Sequence, residues 1–450
     1  MDIKNINKVF FLGIGGIGMS ALARYFNANG ATVFGYDKTK TKLCQQLENE
    51  NINIHYQDDV KNIPENIDLV VYTPAIPSEN NEFQYLQISG LPFLKRSKVL
   101  GLISDLYKTI AVAGTHGKTT TSSIIAHILN ENEVKVTAFI GGICNNYNSN
   151  LILNDNSEVV VVEADEFDKS FLNLNPEISI ITSMDADHLD IYGNTENLKL
   201  NFESFANKTK ETGLLIHHNS LQFNDLNVKS ICNYAYNSNS DFEAKNIRYR
   251  KNGVEFDLKT NSEIYSDFQM QLPGIHNIEN ATAAIAACSK YGLSFSQIKK
   301  ALATYKGVER RFDIKLNQKR VYIDDYAHHP QELKATISAA KNMYKDEEIT
   351  GIFQPHLYSR TRDFAEEFAK SLELLDNIIL IDIYPAREKP IEGITSEYLL
   401  TLINHKQKYY VKNEDLLDFI YKLKPRVLLT LGAGNIDKFV NPIYKLMSKL

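Results

Sequence analysis

Short apolar runs, each followed by a turn-forming cluster and then by helically spaced apolar positions, recur along the chain. The first is "KVFFLGIGGIGMSALARYF", and the pattern continues through "IDLVVYTPAIPS" to about Leu106. A second series opens with "TIAVAGTHGKTT" and includes "SEVVVVEADEFD", "ISIITSMDADHLD" and "NIENATAAIAACSKYG". A third follows "YKGVERRFD" with "RVYIDDYAHHP", "ITGIFQPHLYSRT", "NIILIDIYPAREKP" and "RVLLTLGAGNID". Strands alternating with amphipathic helices predict open, mainly parallel α/β sheets. Many of these runs end in polar clusters, and such sheets bind ligands beyond the carboxyl ends of their strands.

Between about Leu214 and Leu272 the strand signals weaken, and "NYAYNSNSD" reads as surface loop. The stretch "CNNYNSNLILNDNS" reads the same way. With 450 residues the chain exceeds one ordinary core, which predicts two or three domains. The breaks in pattern place them at 1–106, 107–308 and 309–450.

Composition narrows the function classes. A net charge of −6 argues against a general nucleic-acid binder. Cys44, Cys144, Cys232 and Cys288 form no CxxC pair, as expected of free thiols in a reducing cytoplasm. The N-terminus runs into a strand without a signal peptide, and no apolar run approaches the roughly 18 residues that span a bilayer. A cytoplasmic protein without membrane or nucleic-acid partners is expected.

The candidate chemistry lies in the turns. "GIGGIG", Gly13 to Gly18, sits between a strand and a helix, with Asp37 about 20 residues further on. That is the dinucleotide fingerprint, and alone it suggests an NAD-dependent oxidoreductase. Its glycines equally suit any diphosphate-linked nucleoside at a helix N-terminus, or a tight turn that binds nothing. "GTHGKTT" resembles a phosphate-binding loop with Val112 where the full pattern has its first glycine. Gly114 and Gly117 permit the turn, Lys118 can reach β/γ-phosphate oxygens, and Thr119 can ligate magnesium.

"VVVVEADEFD" places Glu163 at a strand end, where a carboxylate can share magnesium with ATP; Glu166 and Asp168 fit a solvated acidic loop better. His188, among Asp185, Asp187 and Asp190, is open between a magnesium or phosphate role and a structural one. Asn277 and Asn280 could face an adenine ring or cap a helix, and spacing alone favours capping. In the third region Arg310, Arg311, Asp325, His328, His329, His356, Arg360 and Arg362 cluster near strand ends. Arginines there can anchor carboxylates or phosphates, although each alone is more often a surface charge.

Together, "GTHGKTT", "EADEFD", "DADHLDIYG", "HNIENATAA", "RRFD" and "DDYAHHP" resemble the Mur ligases, which build the peptide stem of bacterial peptidoglycan. "FLGIGGIGMSALA", "HLDIYG", "FQPHLYSRTRDF" and "IYPAREKPIEG" look like the branch that adds L-alanine to UDP-N-acetylmuramate. The resemblance implies a three-domain α/β fold: an N-terminal Rossmann-like domain for the UDP-sugar, a central P-loop ATPase-like domain and a C-terminal Rossmann-like domain. It assigns "GIGGIG" to UDP rather than NAD, with Gly15, Gly16, Ile17, Gly18, Asp37, Thr73 and Ala75 on the UDP-sugar side. Gly114, Thr115, His116, Gly117, Lys118, Thr119 and Thr120 become the ATP loop, and Thr119, Glu163 and His188 the magnesium ligands. Asn277 and Asn280 become adenine contacts, Arg311 a phosphate contact and Asp325 a ribose contact. Tyr326, His328, His356 and Arg360 would face the reacting carboxylate and incoming amino acid. Lys118, Glu163, His188, His328 and Arg360 would carry the catalysis.

Two departures stand out. Family members often have "PHRYTR" where this chain has "PHLYSR", so Leu357 removes a cation and shifts weight to Arg360. Sister ligases keep a carbamylated lysine about four helical turns beyond the DH pair; Phe202 falls there, with Lys199 out of phase. The resemblance further implies ATP and Mg2+ as cofactors, an acyl-phosphate intermediate and a monomer or weak homodimer. The competing assignments are a recycling ligase that attaches a tripeptide to the same UDP-sugar and, from another class, an NAD-dependent oxidoreductase or NAD-sensing protein.

Overall fold

The computed structural model describes residues 3–185, 192–250, 253–386 and 388–450. The chain divides into two compact units. The first comprises Met1–Lys245, Leu258–Ser266 and Glu279–Tyr305; the second comprises Asn246–Asp257, Asp267–Ile278 and Lys306–Leu450.

The first sheet contains β1 (Lys8–Leu12), β2 (Thr32–Tyr36), β3 (Asn53–His55), β4 (Leu69–Tyr72) and β5 (Phe93–Lys95), in the order β3-β2-β1-β4-β5. All its pairings are parallel. β1 carries the run VFFL, buried on both faces as a central parallel strand must be. The order reverses beside β1, and the Gly-rich turn leaves β1 at that switch point.

The second sheet adds β6 (Lys108–Ala113), β7 (Val136–Cys144), β8 (Ser149–Leu153), β9 (Val159–Glu163), β10 (Ile178–Ile181), β11 (Leu214–His218), β12 (Ile231–Tyr236), β13 (Phe242–Arg250), β14 (Gly253–Thr260) and β15 (Ile264–Met270). Its order is β15-β14-β13-β12-β11-β10-β6-β9-β7-β8. The region where strand signals weaken is a run of strands, and the first four residues of "NYAYNSNSD", expected as loop, belong to β12. Its strands are polar on one face, as in the part-exposed β13 and β15, so no continuous apolar run announces them. The Asn-rich stretch after Cys144 likewise holds a turn and then β8, an edge strand antiparallel to β7.

Apolar side chains of the first and second sheets merge into one core, from Val9, Phe11 and Phe26 through Ala111, Phe139 and Val162 to Phe202 and Leu215. Polar groups cross the same contact. Asn150 of β8 is fully buried and donates to Ile17 O at 2.6 Å and Ser20 Oγ at 2.9 Å. Arg24 reaches Asn150 Oδ1 and pairs with Glu50 at 2.7 Å.

The second unit holds β16 (Asp313–Asn317), β17 (Val321–Asp325), β18 (Ile349–Phe353), β19 (Asn377–Leu380), β20 (Lys408–Tyr410) and β21 (Val427–Leu431), in the order β16-β17-β21-β18-β19-β20. Only β16 pairs antiparallel. Among the described residues, no helix is long and apolar enough to cross a membrane.

Candidate active site

The phosphate-loop candidate connects β6 to the helix Lys118–Glu131. Val112 is fully buried within β6, in register with Glu163 of β9. The chain is still strand where the longer motif already turns, so the missing glycine is not needed. Gly117 has φ +84 and starts the helix, and a Cβ there would strike the side-chain oxygen of Asn280. Ser183, just beyond β10, braces the loop: its Oγ bonds Thr115 Oγ1 at 2.9 Å and accepts from the His116 amide at 2.8 Å. Thr120 is buried one residue beyond Thr119 on the helix.

Lys118 Nζ donates to Gly114 O at 2.6 Å and to both carboxylate oxygens of Glu166, at 2.8 and 2.6 Å. Glu166 is only 1 % exposed, so it is no solvated loop residue, contrary to the sequence expectation. Burial pushes its carboxyl pKa upward, against the opposing pull of Lys118. Asp168 pairs with Lys95 instead, in left-handed backbone at φ +57.

Beside this pair, Thr119 Oγ1 donates to Glu163 Oε1 at 2.7 Å, and the Gly141 amide donates to Glu163 Oε2 at 2.6 Å. A hydroxyl and a carboxylate side by side are hard oxygen donors, the ligand set of a magnesium ion that keeps several waters and takes phosphate oxygens. Thr119 and Glu163 fit that ion. Among the described residues, no three His, Cys, Asp or Glu side chains form a protein-only metal cage. His188, with Asp187 and Asp190, lies outside the described residues.

The Gly-rich loop after β1 opens the helix Ile17–Ala28, whose N-cap Gly16 offers no side-chain cap. Gly13 has φ +85, which a side chain would strain. The Gly15 amide donates to Asp37 Oδ2 at 2.9 Å, and the Thr39 amide donates to Asp37 Oδ1 at 3.0 Å. Asp37 thus holds its own loop with both oxygens. Gly16, Ile17, Gly18 and Thr73 line a cavity of about 330 Å³, whose other wall includes Lys118, Gly141 and Glu163. Arg96 lies in the same wall against Gly18 and donates to Asp165 Oδ2 at 3.2 Å. Ala75 is not part of that lining; its amide lies 3.5 Å from Thr73 Oγ1. Arg96, Asp165, Glu166, Gly141 and Ser183 were not singled out as site residues from the sequence. Arg96, Asp165, Glu166 and Ser183 closely follow strand ends, the one available signal, whereas Gly141 lies within β7.

Asn277 donates to Pro273 O at 2.8 Å within the first turn of the helix Ile275–Tyr291, so it serves that helix start. Asn280 lies too far into the helix to cap it and abuts Gly117 instead. Phe202 is fully buried against Phe171, with ring centroids 5.4 Å apart, so this core position leaves no place for a carbamylated lysine.

A second cluster belongs to the second unit. Asp325, at the end of β17, accepts from the Phe312 and Ala327 amides, both at 2.7 Å. Burial raises its pKa to about 6. The guanidinium carbons of Arg310 and Arg311 lie 5.1 and 5.6 Å from the centroid of the Tyr326 ring. Arg310 is committed to Asp324 at 3.1 Å, whereas Arg311 forms no ion pair with a carboxylate among the described residues. Tyr326 packs edge-on against His328 at 5.2 Å, and His328 lies 6.0 Å from His356. His356 stacks on Tyr384 at 5.7 Å. Burial and the nearby Arg360 charge hold both histidines below the ordinary imidazole range, His356 at about 4.

Nδ1 of His356 and Nη1 of Arg360 are buried with no hydrogen-bond partner among the described residues. Orphaned buried polar atoms are costly, and an anion would satisfy the Arg360 donor and, in its Nδ1–H tautomer, His356. Leu357, between them, has φ +70, an unfavourable conformation for a branched side chain. His328, His356 and Arg360 thus lie close to one another.

Three family models match in chain order: the Mur ligase family catalytic domain over residues 8–108, the Mur ligase middle domain over 112–288, and the Mur ligase glutamate ligase domain over 310–434. The chain is 48% identical to UDP-N-acetylmuramate–L-alanine ligase of Christiangramia forsetii over 451 aligned residues, 99% of this chain and 98% of that one. It is also 48% identical to the enzyme of the same name from Flavobacterium psychrophilum, covering 99% of each. Among solved structures, UDP-N-acetylmuramate-alanine ligase from Thermotoga maritima superposes with a TM-score of 0.84 at 27% identity, covering 98% of this chain and all of that one. A murein peptide ligase from Psychrobacter arcticus shares the fold, with a TM-score of 0.69 at 23% identity. Matches along the full length, in one order and at this identity, leave one conclusion: the chain belongs to the Mur ligase family.

Proposed function

We propose that this chain uses ATP to join L-alanine to the lactyl carboxylate of UDP-N-acetylmuramate, a step in peptidoglycan precursor synthesis. The observation that carries this reading is the shared cavity. The Gly16–Gly18 loop, suited to a diphosphate, and Lys118 with Glu163, suited to a nucleoside triphosphate, line one space. A hydride-transfer enzyme has no use for that second set of groups.

In the proposed reaction a lactyl carboxylate oxygen attacks the γ-phosphorus of ATP, the bond to ADP breaks, and an acyl phosphate forms. The amine of L-alanine then attacks the acyl carbon, and inorganic phosphate leaves with the C–O bond electrons. Phosphorylation is needed because a carboxylate has no competent leaving group at neutral pH. Lys118 neutralises charge on the transferred phosphoryl oxygens, and the loop amides orient them. Magnesium, held by Thr119 and Glu163 with His188 as a further candidate, would supply additional charge neutralisation. We assign Asn277 and Asn280 to the adenine, Arg311 to a phosphate and Asp325 to the ribose.

Arg360 and His356, with their orphaned donors, hold the carboxylate of the amino acid, leaving its amine as the nucleophile. His328, kept neutral at pH 7 by its lowered pKa, is able to accept the amine proton. We assign the domains to residues 1–106, 107–308 and 309–450, and the enzyme to the cytoplasm as a monomer or weak homodimer.

The test is phosphate release measured with ATP and magnesium. It should require both UDP-N-acetylmuramate and L-alanine, and mass analysis should find the alanyl product. Release supported by a tripeptide but not by L-alanine would assign the chain to the recycling branch.

A further inference from the structure

Glu166 is the feature that this function leaves unused. It sits on the turn after β9, 1 % exposed, and its two oxygens take two of the three hydrogen bonds from Lys118 Nζ, with Gly114 O taking the third. A Lys ammonium has three donors, so the described contacts saturate it. Lys118 is the side chain that must contact the nucleotide phosphates, and it already holds an anion.

We infer that Glu166 is a positioning residue that acts as the resting partner of Lys118. Its carboxylate stands in for the nucleotide phosphates and yields the ammonium to them on binding. This rests on the nucleotide-loop reading above. Three observations support it. Glu166 is 1 % exposed and Lys118 15 %, so either charge would be costly to leave unpaired. Glu166 is anchored independently of the loop, since Tyr192 Oη donates to its backbone carbonyl at 2.5 Å. Finally, the neighbouring pair repeats the arrangement: Thr119 rests on Glu163, three residues before Glu166, until a metal takes both oxygens. Lys118 and Thr119 are thus each held by a carboxylate of the same acidic segment, Glu163 to Glu166.

A resting carboxylate competes with phosphate for one ammonium. Removing its charge should tighten nucleotide binding, opposite to what the loss of a simple structural contact would do. Calorimetric titration with ADP and magnesium should show a dissociation constant about tenfold lower for Glu166→Gln than for the unsubstituted enzyme. The KM for ATP should fall without a rise in kcat. In a Lys118→Ala background, Glu166→Gln should change ADP affinity by less than about twofold, because the effect runs through the ammonium. Should Glu166→Gln fail to fold, Glu166→Asp, which keeps the charge but shortens its reach, should show the same direction with a smaller change.

Unchanged or weaker ADP binding in the folded variant would overturn the proposal. So would an equal gain in the Lys118→Ala background. Failure of the unsubstituted enzyme to bind ADP would instead overturn the nucleotide-loop reading itself.

Discussion

The Thr119 hydroxyl donates a 2.7 Å hydrogen bond to Oε1 of Glu163, across 44 residues of sequence. The bond brings together the two oxygens that a magnesium ion would need. Replacing Glu163 by Gln keeps the shape and removes the charge, so half-saturating magnesium should rise at least about tenfold while the fold is retained. A magnesium titration of the rate checks this; an unchanged midpoint would return Glu163 to a purely structural role. The same measurement on His188→Ala tests that residue, for which the expectation rests on sequence alone.

Lys118→Ala should abolish turnover, and a loss smaller than about tenfold, a barrier change of ~1.4 kcal/mol, would refute the phosphate-loop assignment. It should also destabilise the protein, because it strands the buried Glu166 carboxylate; removing one partner of such a pair typically costs about 3–5 kcal/mol. Adding Glu166→Gln should recover much of that stability in thermal unfolding and none of the turnover.

Gly15 and Asp37 form the relationship on which the dinucleotide fingerprint and the ligase reading differ. Asp37 spends both oxygens on the Gly15 and Thr39 amides, whereas a dinucleotide site uses this acid for a ribose. A Cβ on Gly15 would meet Cys44 Sγ at 2.5 Å and Asp37 Oδ2 at 2.8 Å. Its φ is not left-handed, so steric conflict with Asp37 and Cys44 is the cause of harm in Gly15→Val. That variant should lose UDP-N-acetylmuramate binding in calorimetric titration. Titrating the unsubstituted protein with NAD and NADP should give no heat; tight NAD binding without a response to UDP-N-acetylmuramate would reverse the assignment.

Arg360→Ala should raise the KM for L-alanine by about tenfold or more and leave the KM for ATP within about twofold, because its orphaned Nη1 is assigned to a carboxylate. Steady-state kinetics with each substrate varied separately measures the split. Equal changes in both would place Arg360 elsewhere in the mechanism.

His356 predicts a pH dependence of stability. Its pKa is lowered from 6.5 to about 4 in the folded protein, chiefly by burial. The unfolded chain therefore binds the extra proton first. The stabilising contribution is complete above about pH 6.5 and is lost as pH falls toward 4. His356→Gln should flatten the fall in melting temperature between pH 7 and pH 4.5, and identical slopes would contradict this assignment.

Local chain geometry was enough to reveal the strand–turn–helix units, the Gly-rich turn that leads into Lys118 and Thr119, and Glu163 at its strand end. These depend on residues near one another in sequence: glycines that allow a turn, an apolar run that must be buried, and a polar residue that follows it. Tertiary structure decided what those groups touch. Glu166 reads as solvated in sequence because acidic turns usually are, and only the adjacency of β6 and β9 brings it to Lys118, 48 residues away. Asn280 reads as a helix cap until the fold sets it against Gly117. Part-exposed strands such as β13 and β15 give only a weak local apolar signal and become strands through pairing with neighbours. The Gly16–Gly18 turn and Lys118, about a hundred residues apart, line one cavity because the first two sheets bury their apolar faces in one core. Hydrophobic burial is non-directional, so a sequence pattern can show which residues must be covered, while the packed chain alone determines what covers them.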